Sequence, residues 1–330
     1  MVNFRDNGDI KRILANAFRN NTVSSTTTTP SSSQINVIGD GDISDAYQNW
    51  QKEQKETLEL AEKSGYKRHL KIEDSQVKNA KLNYNGDVYS IEFNDFNVTI
   101  HNKTKDRTIT LNLSNLLNGM ERKEKVKFMK NIQKLPGEVL EDLAIEVDRI
   151  NSSQGQDMHT VSSNPEFTAG GYYAGMQDEI TTGSQSLVHE LGHAVDYQGV
   201  GNLDGKNNYS RVEKNQNFKR AFEIGLERFK KAGFKRYDYN NKNTWSSPLE
   251  VLSQRSNYCT SNVRELWAEL YQALTTGTCK SMNTIIEFFP EAIEEGKKIL
   301  NEIRAESETA RHNTTMRSAL NKIRNSHFGL

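Results

Sequence analysis

Ser186-Leu187-Val188-His189-Glu190-Leu191-Gly192-His193-Ala194-Val195-Asp196 is the stretch on which the reading of this chain turns. Leu187, Leu191, Ala194 and Val195 recur at the three- and four-residue spacing of a core-facing helical stripe. His189 and His193 are four residues apart, and on a helix such positions share one face. Both imidazoles can therefore reach a single ion, with Glu190 projecting to its side. With 7 histidines in 330 residues, this His-Glu-x-x-His spacing arises by chance about 0.01 times per chain. Gly192 adds weight, because glycine inside a helix costs about 1 kcal/mol relative to alanine unless something must pack close to the backbone. A metal-binding helix over residues 184–198 is the expectation.

A catalytic zinc takes three protein ligands and leaves one position for water, so a further ligand must come from elsewhere in the chain. The best source is Val263-Arg264-Glu265-Leu266-Trp267-Ala268-Glu269-Leu270-Tyr271-Gln272-Ala273-Leu274. Leu266, Leu270, Ala273 and Leu274 mark its core face, and Glu265 and Glu269 lie one turn apart on another. Like charges at that spacing repel weakly, and a nearby cation reverses the sign. Glu265 has a second reading as the capping-box partner of Asn262, three residues earlier. Glu269 is either an ordinary exposed glutamate or an acceptor that fixes the tautomer of a ligand histidine.

Residues 5–19 can form a short helix, and the Asn, Ser and Thr run at 20–33 reads as a linker that cannot bury enough apolar surface to fold. Residues 42–65 read as an exposed, charged helix. From 78 to 113, β-branched and aromatic runs alternate around the turn signals Asn85-Gly86 and Asn94-Asp95, which predicts two or more hairpins. Helices follow at 122–133 and 137–150, with extended segments around 157–161, 169–174 and 177–182. Further helices are expected at 211–232, 281–304 and 309–325. The segment at 177–182 reads as an edge strand to which an extended peptide could add. The pattern gives an α+β, helix-rich fold with a small sheet beside the metal helix. It also suggests three parts: a helix and linker at 1–40, a helix and hairpin accessory region at 41–119, and the metal-binding domain at 120–330.

Composition narrows the function classes. Lys and Arg number 43 and Asp and Glu 43, so no global field draws the chain to nucleic acid or an anionic membrane. No apolar run reaches the roughly 18 residues of a membrane span. Residues 1–20 interleave charges with apolar residues and lack the apolar core of a secretory signal, so Sec export is not expected. Cys259 and Cys279 are too few for a disulfide scaffold; an exported protein could join them in one bridge, and unpaired, partly buried thiols are the expectation.

Taken together, these residues resemble the anthrax lethal factor-like zinc peptidases, the family that also includes the bacterial Pro-Pro endopeptidases. The resemblance rests on His189-Glu190-Leu191-Gly192-His193-Ala194-Val195-Asp196 and on Glu265-Leu266-Trp267-Ala268-Glu269. It extends to Tyr258, seven residues before Glu265, and to the approach from Ala169-Gly170-Gly171-Tyr172-Tyr173 to Asp178-Glu179-Ile180. It covers about residues 120–305. It implies a zincin-like domain with one Zn2+ per chain held by His189, His193 and Glu265. It also implies Glu190 as the base, Tyr258 as donor to the developing oxyanion, and Glu269 as support for the ligands. Read from its own position, Tyr258 is a core aromatic. The activity implied is that of an endopeptidase acting on an extended protein or peptide substrate, in a secreted or delivered, toxin-like role. Two other readings stay open: a zinc-binding but inactive peptide-binding module, and a mobile-element peptidase acting in the cytoplasm.

Overall fold

The computed structural model of the chain describes residues 40–117, 120–147, 149–152, 171–174, 179–182, 186–198, 209–239, 241–244, 253 and 255–306. The helices expected at 5–19 and 309–325, the linker at 20–33 and the extended segment at 157–161 lie outside the described residues. The chain divides into two compact units, Met1–Leu60 and Ala61–Leu330. Of the first unit, the described part belongs to helix α1 (Asp40–Lys63), which is mostly exposed along its charged sequence.

The second unit begins with β1 (His69–Asp74), β2 (Lys78–Asn79), β3 (Tyr84–Asn85), β4 (Tyr89–Asn94), β5 (Asn97–Asn102) and β6 (Arg107–Asn112). Strands β1, β4, β5 and β6 form an antiparallel sheet in that order. Alternation sets its inner face: Phe93 pairs with Val98 and Ile91 with Ile100, all buried. Asn94 pairs with Asn97, so the β4–β5 turn is the two-residue Asp95-Phe96, with Asp95 at positive φ. The hairpins expected at 78–113 are present, and β1 joins them from outside that range. Asn85-Gly86 is not a hairpin turn. Gly86 instead lies where a Cβ would meet the Glu138 carboxylate at 1.9 Å.

After α2 (Leu113–Leu116), α3 (Arg122–Ile132) and α4 (Gly137–Glu146), the helix expected to run to 150 gives way to β7 (Arg149–Ser152). β7 pairs in parallel with β9 (Glu179–Thr182), which also pairs antiparallel with β8 (Gly171–Ala174). The order β7-β9-β8 corrects the expectation for 177–182. That strand is the middle one, its backbone donors and acceptors already taken by neighbours on both sides. A peptide cannot add to it.

Helix α5 (Leu187–Asp196) is followed by the short ladder of β10 (Tyr197–Gln198) and β11 (Tyr209–Ser210). The helix expected at 211–232 is two, α6 (Arg211–Lys214) and α7 (Gln216–Lys231), separated by Asn215, whose side chain caps the second through the Phe218 N–H at 2.9 Å. Helix α8 (Val263–Thr276) is the centre of the core, with Leu266, Trp267, Leu270, Tyr271 and Leu274 fully buried. Burial of each contributes about 1.5–3 kcal/mol relative to exposure. The stretch expected as one helix at 281–304 is α9 (Met282–Phe288) and α10 (Pro290–Ala305), because Pro290 can start a helix but not continue one.

A buried ionic network ties the hairpin sheet to the helices. Glu141 on α4 accepts from Tyr89 and from Arg107 Nε, each at 2.8 Å. One turn away, Arg304 on α10 donates to Glu138 at 2.9 Å, and Tyr271 on α8 donates to Asp142 at 2.7 Å. Asn79 adds a bond to the Ala273 carbonyl of α8 at 2.9 Å. The mixed helix-and-sheet class agrees with the α+β expectation. No described helix is long and apolar enough to cross a membrane.

Candidate metal centre

Helices α5 and α8 cross closely because of one residue. A Cβ on Gly192 would stand 2.9 Å from the Ala268 Cα and 3.2 Å from the Tyr271 side chain. Trp267 completes the contact by donating its indole N–H to the Gly192 carbonyl at 2.8 Å. The glycine inside the helix is thus explained by close packing, as its cost suggested.

That approach brings His189, His193 and Glu265 together. One ligand-type atom from each lies within 4.8 Å of the others. Glu265 Oε2 is 3.0 Å from His189 Nε2 and 3.5 Å from His193 Nε2. Ligand atoms around a tetrahedral ion with bonds of about 2.0–2.2 Å lie about 3.3–3.6 Å apart. The Glu265–His193 separation falls in that range, the Glu265–His189 separation is that of a hydrogen bond in the ion-free cluster, and the three donors together could hold a metal ion. The two readings of Glu265 separate here. Asn262 caps α8 by accepting from the backbone N–H of Arg264 and Glu265, at 2.9 and 3.0 Å, while the Glu265 carboxylate turns to the histidines.

Glu269 is buried rather than exposed. Its Oε1 lies 3.5 Å from His189 Nδ1, and its Oε2 accepts from the Ser281 N–H at 2.7 Å. A carboxylate anchored in this way holds the far nitrogen of the ring and leaves Nε2 facing the cluster. Cys279 also bonds to Glu269, and burial raises its thiol pKa. Both cysteines are free, as expected, with Cys259 fully buried.

The electrostatics follow from a crowd of carboxylates around two imidazoles. Burial alone would lower the pKa of His189, yet its hydrogen bonds with Glu265 and Glu269 lift it to about 10. Burial would likewise raise Glu265, but His193 and His189 hold its carboxyl well below the usual range. Glu190 is displaced the other way. Burial raises it, and the nearby histidines only partly oppose the rise. A buried carboxyl with elevated proton affinity beside two imidazoles is a group that could accept and return a proton.

Tyr258 opens a short 3-10 turn, Tyr258–Thr260, ahead of α8. Its ring centroid is 5.7 Å from that of His189, so it faces the cluster rather than a remote core. Burial and then the Glu265 charge raise its pKa, keeping the phenol protonated and able to donate.

One neighbour is not visible from the sequence. Tyr239 donates to Glu265 Oε1 at 2.8 Å, and its hydroxyl lies 3.4 Å from that of Tyr258. It belongs to an irregular segment, and the only signal for it is the Tyr237-Asp238-Tyr239 alternation. Of the approach residues named for the resemblance, Ala169, Gly170 and Asp178 lie outside the described residues, while Gly171, Tyr172, Tyr173, Glu179 and Ile180 fall in β8 and β9. Neither family models, nor curated proteins, nor solved structures match this chain.

Proposed function

We propose that the chain is a zinc-dependent endopeptidase of the lethal factor-like, zincin-like kind, cleaving a protein or peptide substrate. The observation that carries this reading is the convergence of His189, His193 and Glu265 from two helices, with the buried Glu190 carboxyl beside them. Two imidazoles and one carboxylate are the donor set of many catalytic zinc sites. A bound zinc ion would supply Lewis acidity, polarising a carbonyl and making water acidic near pH 7.

The chain's own residues would do the rest. Glu190 takes a proton from the attacking water and returns it to the leaving amine. Tyr258 donates its phenol to the carbonyl oxygen as negative charge develops there, a contribution of about 2–4 kcal/mol for one such donor. Glu269 keeps His189 oriented through Nδ1. An exported or delivered role is the biological setting proposed from the family resemblance.

The test is a zinc titration coupled to a peptide-library cleavage assay. One zinc per chain and cleavage are expected, with His193→Ala and Glu265→Ala both losing zinc. Zinc uptake without cleavage of any peptide would favour the peptide-binding module instead. Undiminished zinc in Glu265→Ala would remove Glu265 from the ligand set.

A further inference from the structure

The two oxygens of Glu265 have different partners. Oε2 faces His189 Nε2 and His193 Nε2 at 3.0 and 3.5 Å, and Oε1 accepts from the Tyr239 hydroxyl at 2.8 Å. A carboxylate free to rotate could present either oxygen, or both, to a cation. Here the phenol holds one of them back. With its proton committed to Oε1, Tyr239 keeps lone pairs for the Tyr258 hydroxyl 3.4 Å away.

Tyr239 is itself held by the chain that carries Tyr258. Arg236 donates to the carbonyls of Thr260 and Ser261 at 3.0 and 2.6 Å. The Tyr237 N–H donates to Thr260 Oγ1 at 2.9 Å, and Asn257 Nδ2 donates to the Lys235 carbonyl at 3.0 Å. Four hydrogen bonds thus clamp residues 235–237 onto 257–261, immediately before α8. The rings stack the same way: Tyr237 meets Tyr239 and Tyr258 edge-on, at 5.1 and 5.3 Å between centroids.

We infer that Tyr239 is a positioning residue for the metal centre, which fixes Glu265 as a one-oxygen ligand and holds the resting Tyr258 hydroxyl. The inference rests on the metal-site reading above and adds to it a residue outside the ligand set and the catalytic pair. A hydroxyl acting through a ligand carboxylate should alter metal affinity, and a phenol that serves only packing should not.

The experiment measures zinc Kd by competition with a chromophoric chelator, on full-length wild type and Tyr239→Phe, each also in a Glu265→Ala background. Tyr239→Phe is expected to weaken zinc binding about 10- to 100-fold, with the zinc-free protein still folded and its melting temperature lowered by no more than the few degrees that the loss of one hydrogen bond explains. In the Glu265→Ala background the same substitution should leave the residual affinity unchanged within about twofold, because the group it acts through is gone. The cobalt-loaded protein should show altered visible absorption bands in Tyr239→Phe, reporting a changed ligand field. Equal zinc affinity in wild type and Tyr239→Phe would overturn the inference and leave the metal site standing. An equal loss in both backgrounds would overturn it too, since Tyr239 would then not act through Glu265. A wild-type chain that binds no zinc would overturn both.

Discussion

Trp267 donates its indole N–H to the Gly192 carbonyl at 2.8 Å, and this bond joins the helix bearing both histidines to the helix bearing Glu265. The cluster is therefore only as well formed as the contact between α5 and α8. Gly192→Ala tests that dependence. Its Cβ would meet backbone at Ala268, which cannot swing away as a flexible side chain would. The helices must separate, at a cost of about 1–3 kcal/mol of stability, despite the better helix propensity of alanine. Calorimetry should show a lowered melting temperature, and chelator competition a weakened zinc affinity. A stabilised Gly192→Ala protein with unchanged zinc binding would show that the close approach does not matter.

The charge arrangement at His189 predicts a pH dependence. In the zinc-free protein its pKa is lifted to about 10 by Glu265 and Glu269, so at neutral pH the imidazole is protonated. Zinc requires the neutral ring, and the ion must displace that proton. Affinity should therefore fall as pH is lowered below about 10, by about tenfold per unit from this proton alone. Isothermal titrations in buffers of different ionisation enthalpy should show a proton released on zinc binding near neutral pH. Glu269→Gln, which removes one source of the lift, should reduce the release. Zinc uptake without proton release would contradict the ionic picture.

Tyr258→Phe separates oxyanion stabilisation from packing. The substitution removes one hydroxyl and almost no volume, so a packing role predicts little change in rate. A phenol that meets the oxyanion only in the transition state predicts a fall in kcat of about 10²- to 10³-fold. Zinc content and melting temperature should hold, and KM should move little, because the interaction is absent from the ground state. Steady-state kinetics on a cleaved peptide checks this. An unchanged kcat would place Tyr258 outside the reaction.

Much of the site was legible because it lies on helices whose periodicity is strong. His189, His193 and the Leu187-Leu191-Val195 stripe follow from helical spacing alone, and the internal glycine signalled a close neighbour before Ala268 could be named. Asn262 was readable as a cap, but whether the Glu265 carboxylate turned back to the cap or out to the histidines depended on the position of α5. Tyr239 left no such mark. It reaches Glu265 through hydrogen bonds between irregular segments, which have no period to read. The strand order was hidden for a related reason: β7 and β9 pair in parallel across a long separation in sequence, and no local turn announces such a pairing. The burial of Glu138, Glu141 and Asp142 has no signal in the sequence, since acidic side chains are seldom buried. Arg304 and Arg107, far away in the chain, make their burial possible.

On the proposed function, Glu190 separates a reactive centre from one that only binds metal, and a single comparison addresses it: cleavage of a library-selected peptide by zinc-loaded wild type and Glu190→Gln at equal zinc content. The amide fills the same space but cannot accept the water proton. Turnover should fall by about 10²- to 10⁴-fold or more, with zinc stoichiometry and melting temperature retained. Near-normal cleavage by Glu190→Gln would contradict the account.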